Sequence, residues 1–167
     1  MSIKIAILTV SDRSFRGERE DLSGPALGAE IQKLSWNVAH TAIVPDEIDE
    51  IARTLAEWAD SGLADVILTS GGTGFAPRDV TPEATRRVVE RLTPGLDEAM
   101  RAASLQITKH AMLSRAASGI RKATLIVNLP GSPRGVVETL AVIAPVLPHA
   151  VELMRESRDA EQGHRKI

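Results

Sequence analysis

Residues Ile3 to Val10 form a short, nearly continuous apolar run, and this run narrows the possible folds more than any other segment. A strand with one face in water alternates apolar and polar side chains. A strand without that alternation suits a buried, parallel sheet with helices on its faces. The rest of the chain repeats the theme. Asn37 to Val44, Asp65 to Ser70 and Thr124 to Leu129 read as further strands. Between them, Leu27, Ile31 and Leu34 recur at helical spacing, as do Ile48, Ile51, Leu55 and Trp58, then Ala84, Val88 and Leu92. Leu96, Met100, Ala103 and Ile107 continue the pattern, followed by Val136, Val137, Leu140 and Ile143. Helix starts are marked by Ser23-Gly24-Pro25, Pro45-Asp46, Thr81-Pro82-Glu83 and Ser132-Pro133; Thr81 is expected to cap its helix. The segment from Phe15 to Asp21 reads as a loop, and Ser114 to Ile120 as either a short strand or an irregular stretch. Strands alternating with helices predict an α/β fold: an open three-layer sandwich with a mostly parallel sheet flanked by helices.

The length of 167 residues suits one domain over 1–167, with a core over about 3–154 and a polar, mobile tail from 155 to 167. Aromatic residues make up only 2%, so the core must be built from Val, Ile, Leu and Ala. Cysteine is absent, which excludes disulfides, thiolate catalysis and Cys-ligated zinc. His40, His110, His149 and His164 lie far apart and form no zinc-binding pattern. A net charge of -2 offers no basic field for nucleic acid. The amino terminus enters a strand without a signal-peptide layout, and no stretch of about 18 uninterrupted apolar residues occurs. The expectation is a cytoplasmic protein with neither nucleic acid nor membrane as partner.

Ligands of open α/β sheets bind beyond the carboxyl ends of the strands. Three segments belong there: Ser11-Asp12-Arg13, Ser70-Gly71-Gly72-Thr73-Gly74 and Asn128-Leu129-Pro130-Gly131-Ser132-Pro133. Glycine lets backbone N–H groups approach an anion, and helix amino termini add partial positive charge. A phosphate or other oxyanion is the expected ligand, although glycine also serves such turns for geometry alone. Neither loop ends in Gly-Lys-Ser/Thr, and no GxGxxG follows the first strand. Asp46 and Asp79 follow the second strand and the glycine loop, where two carboxylates beside phosphates would suit Mg²⁺. Asp46 reads equally well as a helix N-cap. Arg13, Arg78, Arg115 and Arg134 are candidate phosphate partners, and Phe75 could cover a ring or anchor its loop.

Taken together these residues form a pattern. Thr9 to Arg13, Asp21 to Pro25, Val44 to Glu47 and the long run from Gly71 to Thr85 are four of its parts. Pro94-Gly95, Met112 to Arg115, Gly119 to Arg121 and Asn128 to Pro133 complete it. In this order the chain, from about Ile5 to Leu153, closely resembles the molybdopterin adenylyltransferases, the Mog branch of the MoaB/Mog family, and the G domain of gephyrin-type proteins. The resemblance implies an α/β homotrimer, or in some members a hexamer. It implies transfer of AMP from ATP to molybdopterin with Mg²⁺, with a molybdate-inserting protein as the downstream partner. The two aspartates implicated in that family match Asp46 and Asp79, as catalytic and metal-holding residues. Ser11, Asp12, Gly71, Gly72, Thr73, Gly74, Ser114, Asn128, Pro130, Gly131 and Ser132 are then the expected substrate and nucleotide contacts, with Ser114 and Ser132 as hydrogen-bond donors. MoaB-type relatives typically carry Asn in place of Asp12 and lack the Arg-Asp-Val-Thr-Pro-Glu-Ala run kept here at 78–84, so the chain is similar to the Mog branch. Some Mog proteins have a longer segment after the last glycine loop. The alternative is a MoaB-type molybdopterin carrier or scaffold without transferase activity.

Overall fold

A computed structural model describes residues 2–155. The first strand, β1 (Lys4–Val10), shows why the apolar run lacks alternation. Ile5 and Ile7 point into one hydrophobic cluster, whereas Ala6, Leu8 and Val10 point into another on the opposite face. After a short helix, α1 (Asp12–Phe15), come α2 (Ser23–Lys33), β2 (Asn37–Val44), α3 (Ile48–Asp60) and β3 (Val66–Ser70). Then follow α4 (Thr81–Val88), β4 (Arg91–Leu92), α5 (Pro94–Leu105), β5 (Ser118–Arg121), β6 (Thr124–Leu129), α6 (Pro133–Ile143) and α7 (Leu147–Met154). The six strands form one sheet in the order β2-β1-β3-β6-β5-β4. The pairs β1·β2, β1·β3 and β3·β6 are parallel; β5·β6 and β4·β5 are antiparallel.

Helices cover both faces. Leu27 and Ile31 of α2, Met100 of α5, Val136, Leu140 and Ile143 of α6, and Leu147 and Val151 of α7 fill one side. Ile51 and Leu55 of α3 with Ala84 and Val88 of α4 fill the other. The helical run Pro133–Met154 reaches a mean hydropathy of 1.6, long and apolar enough by composition to cross a bilayer. Its buried stripe instead packs on the sheet, as apolar core helices do.

Several expectations change in detail. Asp12 to Phe15 is helical, capped by Ser11, which accepts from Ser14 N–H at 3.2 Å. Leu92 leaves the helical stripe and is 58% exposed in β4, and Ile107 lies beyond α5, also exposed. The ambiguous stretch near Ser114 contains β5, whose partners are antiparallel. Thr81 is the first residue of α4 and does not cap it; its hydroxyl donates to the Gly71 carbonyl at 2.9 Å. Of the polar tail only Arg155 falls within the described residues, where it pairs with Asp65; residues 156–167 lie outside them.

Candidate active site

The parallel strands β1, β2, β3 and β6 end at the same edge of the sheet, and their loops meet there. Gly71, at φ +103°, passes so close to β1 that a Cβ would sit 2.4 Å from the Val10 carbonyl oxygen. A Cβ on Gly131 would come within 3.3 Å of Gly71 Cα, so the two glycine loops touch. Ser70 Oγ locks them together through bonds to Ser23 Oγ at 2.8 Å and to the Pro130 carbonyl at 3.1 Å. Among the described residues, the N–H groups of Gly72, Thr73, Gly74, Gly131 and Ser132 donate to no group of the chain. These are the donors an oxyanion would need.

The glycines also make room for the carboxylates. A Cβ on Gly72, which has φ +65°, would lie 3.2 Å from Asp46 Oδ1, and one on Gly74 would lie 2.8 Å from Asp79 Oδ2. Asp46 does not cap α3. Its Oδ2 accepts from the Asp12 N–H at 2.8 Å, while Asp12 Oδ1 accepts from the Asp46 N–H at 3.0 Å. This reciprocal pair joins the loops after β1 and β2. Arg78 closes it, donating to both Asp12 oxygens at 2.9 Å and to Glu47 at 2.8 Å. The hydrogen bonds from Arg78 hold the Asp12 carboxyl below its ordinary range. Burial, reinforced by the nearby charges of Asp12 and Asp79, pushes Asp46 above it. Asp79 Oδ2 accepts from the Ala76 N–H at 2.9 Å. Oδ1 of Asp46 and Oδ1 of Asp79 accept no hydrogen bond among the described residues.

Two cavities flank the loop and share Ser132. One, of about 710 Å³, is bordered by Asp12, Asp46, Asp79, Gly71 and Gly72 with Arg13 and Arg19. The other, of about 440 Å³, takes Thr73, Gly74, Ser114, Pro130 and Ser132 at its polar end and Met100, Ile107 and Leu113 among its apolar walls. The expected site residues thus assemble at one sheet edge, divided between two clefts.

Some of them are committed to internal bonds. Asn128 is fully buried; its amide donates to Thr69 and Thr85 hydroxyls at 3.0 and 2.8 Å, and its oxygen accepts from Ala117 N–H at 3.2 Å. It braces the apolar cleft from behind. Ser132 caps α6, accepting from Gly135 N–H at 3.0 Å. Arg115 clamps the glycine loop: its guanidinium reaches the carbonyls of Gly74 at 2.8 Å and Asp79 at 2.5 Å and pairs with Glu83. Arg134 is highly exposed and pairs with Glu138. Phe75 is 66% exposed, too open for a loop anchor. Two contributors lie outside the expected site residues. Asp21 accepts from the N–H groups of Ser23 and Gly24 and from Thr9, holding α2 beside the acidic cleft. Asp97 lines the apolar cleft from α5; an acid three residues before buried Met100 is the signal that marks it.

A family model described as a probable molybdopterin binding domain matches residues 6–149. The molybdopterin adenylyltransferase of Helicobacter pylori strain J99 is 42% identical over 155 residues, 92% of this chain and 88% of the relative. Gephyrin of Dictyostelium discoideum is 44% identical over 160 residues; the match takes 90% of this chain but only 22% of that protein. Among solved structures, the molybdopterin biosynthesis enzyme MoaB from Thermus thermophilus superposes with a TM-score of 0.87 at 49% identity, covering 93% of this chain and 98% of that one. By its sequence over residues 6–149 and by the α/β architecture around its glycine loops, the chain belongs to the family of molybdopterin-binding domains of molybdenum cofactor biosynthesis.

Proposed function

We propose that this chain is a molybdopterin adenylyltransferase that transfers AMP from ATP to molybdopterin, giving adenylylated molybdopterin and pyrophosphate. One observation carries the mechanism. Asp46 and Asp79 are seated against a glycine loop, each with Oδ1 left open, beside backbone N–H groups that have no partner among the described residues.

The terminal phosphate oxygen of molybdopterin attacks the α-phosphorus of ATP. The bond from that phosphorus to the bridging oxygen of the β-phosphate breaks, the electron pair leaves with pyrophosphate, and a phosphoanhydride remains. Because the substrate brings its own nucleophile, no serine, cysteine or histidine is needed. The protein must hold two polyanions together, so positioning and charge neutralisation carry the catalysis. The free N–H groups of Gly72 to Gly74 and of Gly131 and Ser132 hold phosphoryl oxygens. Arg13 and Arg19 border the acidic cleft and face the departing pyrophosphate. The apolar cleft holds the pterin ring, and the acidic cleft holds the nucleotide phosphates.

The residues fit Mg²⁺. No cluster of three or more acidic or imidazole ligands occurs among the described residues. Mg²⁺ suits such a site, because it is commonly held by one or two carboxylates together with phosphate oxygens and waters. Asp46 and Asp79 through Oδ1 would hold it, and it would neutralise phosphate charge. ATP as co-substrate, the homotrimer, the cytoplasmic location and a molybdate-inserting partner complete the proposal.

Asp79→Asn keeps the shape and the acceptor for Ala76 N–H. Pyrophosphate release should fall by a factor on the order of 10² or more, with the thermal midpoint little changed. Unaltered release would refute the role. The likeness to a protein named MoaB makes a carrier the contrasting reading. A carrier predicts no specific ATP binding in a titration with and without Mg²⁺, whereas the transferase predicts Mg²⁺-dependent binding.

A further inference from the structure

Asp97 stands in the first turn of α5 and is only 6% exposed. Its Oδ2 accepts from the Ser118 N–H at 3.0 Å. Its Oδ1 is buried and has no hydrogen-bond partner among the described residues. A buried carboxylate oxygen without a donor is rare in folded proteins and calls for a reason. Arg101, whose charge acts on Asp97, does not supply one: it donates to the Ala116 carbonyl at 3.1 Å and, at a longer 3.4 Å, to that of Ser114. Burial accordingly holds the Asp97 carboxyl above the usual carboxylate range, with Ser118 and Arg101 opposing the shift. Asp97 also lines the apolar cleft of about 440 Å³, together with Met100, Ile107, Leu113 and Ser114. Such a pocket takes a flat, mostly apolar ligand and fixes its orientation through a few polar groups.

A carboxylate only accepts hydrogen bonds, and Oδ2 keeps a second lone pair beside the unpartnered Oδ1. Its complement is a ring edge that presents two N–H donors side by side. The 2-amino-4-oxopyrimidine edge of a pterin is such an edge, with the exocyclic amine next to the ring N3–H. The amino edge of adenine is not, because each ring nitrogen flanking its amine is an acceptor that would meet the carboxylate unfavourably. We infer that Asp97 reads the pterin, accepting hydrogen bonds from its 2-amino and N3–H groups in the apolar cleft. The inference rests on the adenylyltransferase reading for placing a pterin in this cleft, and it adds the residue that selects the ring.

Asp97→Asn tests it. The Ser118 N–H will hold the amide oxygen in the place of Oδ2, which turns the amide NH₂ to the place of Oδ1. A donor then faces the pterin amine. The probes are pterin, lumazine (which has an oxo group where pterin has the amine) and AMP, each titrated calorimetrically into wild type and variant. Wild type should bind pterin at least about tenfold more tightly than lumazine, the scale of one charge-assisted hydrogen bond. In the variant, pterin binding should weaken by about tenfold or more, lumazine binding should hold or improve, and AMP binding should be unchanged. A merely structural Asp97 would not move the pterin-to-lumazine ratio, so an unchanged ratio overturns the inference. A parallel loss of AMP affinity overturns it too, and assigns the residue to the purine. If the variant does not fold, wild type alone decides: equal affinity for pterin and lumazine, or no binding of pterin, refutes it. Pyrophosphate release by wild type tests the transferase reading separately. Selective pterin binding without release would sink that reading and leave Asp97 in its role.

Discussion

Two glycines with matching backbone angles separate the conformational from the steric demand of the loop. Gly62, after α3, has φ +66°, and Gly72 has φ +65°. A Cβ on Gly62 would meet nothing within 4 Å, whereas one on Gly72 would lie 2.4 Å from Thr81 Oγ1 and 3.2 Å from Asp46 Oδ1. An L residue in the left-handed region costs roughly 1–2 kcal/mol, and that cost is common to both sites. At Gly72 the threonine cannot retreat cheaply. Thr81 is fully buried and its hydroxyl is bonded to the Gly71 carbonyl at 2.9 Å, so moving it sacrifices that bond. The loss adds about 1–3 kcal/mol, or roughly 2–12 °C in thermal midpoint for a chain of this size. Gly72→Ala should therefore melt below Gly62→Ala by that margin. The variant must also displace Asp46 Oδ1, so pyrophosphate release should drop on the order of 10²-fold, whereas Gly62→Ala keeps wild-type turnover. Equal melting temperatures with equal activities would show that the loop tolerates a methyl group and that the glycine is there for φ alone.

Arg115→Ala leaves the Gly74 and Asp79 carbonyls and the Glu83 carboxylate without their guanidinium. The expected cost is about 2–4 kcal/mol in urea unfolding, with faster proteolysis within 73–79; a loss under about 0.5 kcal/mol would mean that the clamp is dispensable. On the far side of the molecule, Arg121 and Lys122 hold Asp60, which titrates at about 2 in the folded chain, below its ordinary 3.8. The unfolded chain thus binds more protons in that window, so the contribution of Asp60 is complete above about pH 4 and is lost as pH falls toward 2. Asp60→Asn should flatten the fall in thermal midpoint between pH 4 and pH 2, and an unchanged slope would refute the assignment.

Much of the site is readable from local pattern. Uninterrupted apolar strands mean cover on both faces, and the polar loops after parallel strands must gather at one edge, so Ser11, Asp46, Gly71 and Asn128 were bound to fall near one another. The same reasoning fails where a side chain has a choice of partner. Asp46 and Thr81 both have the chemistry of helix caps, yet neither caps a helix: one bonds the Asp12 N–H across two loops and the other the Gly71 carbonyl. Arg115 has the chemistry of a phosphate ligand, and a carbonyl-rich loop takes its guanidinium first. Ser118 to Arg121 has no period to mark it as a strand; pairing with β6 makes it one.

The sequence by itself therefore determined the layering and the sheet edge at which the polar, glycine-rich loops gather, because these follow from periodicity and from chain connectivity; it left Asp46 open between a helix cap and a site carboxylate, and only the family resemblance favoured the latter. Only the tertiary structure decided that the glycines clear space for Asp46 and Asp79, that the candidate site divides into an acidic and an apolar cleft, and that Asp97 lies buried with one oxygen unpartnered among the described residues. Those features depend on which groups from distant segments come within hydrogen-bonding distance, which no local pattern encodes.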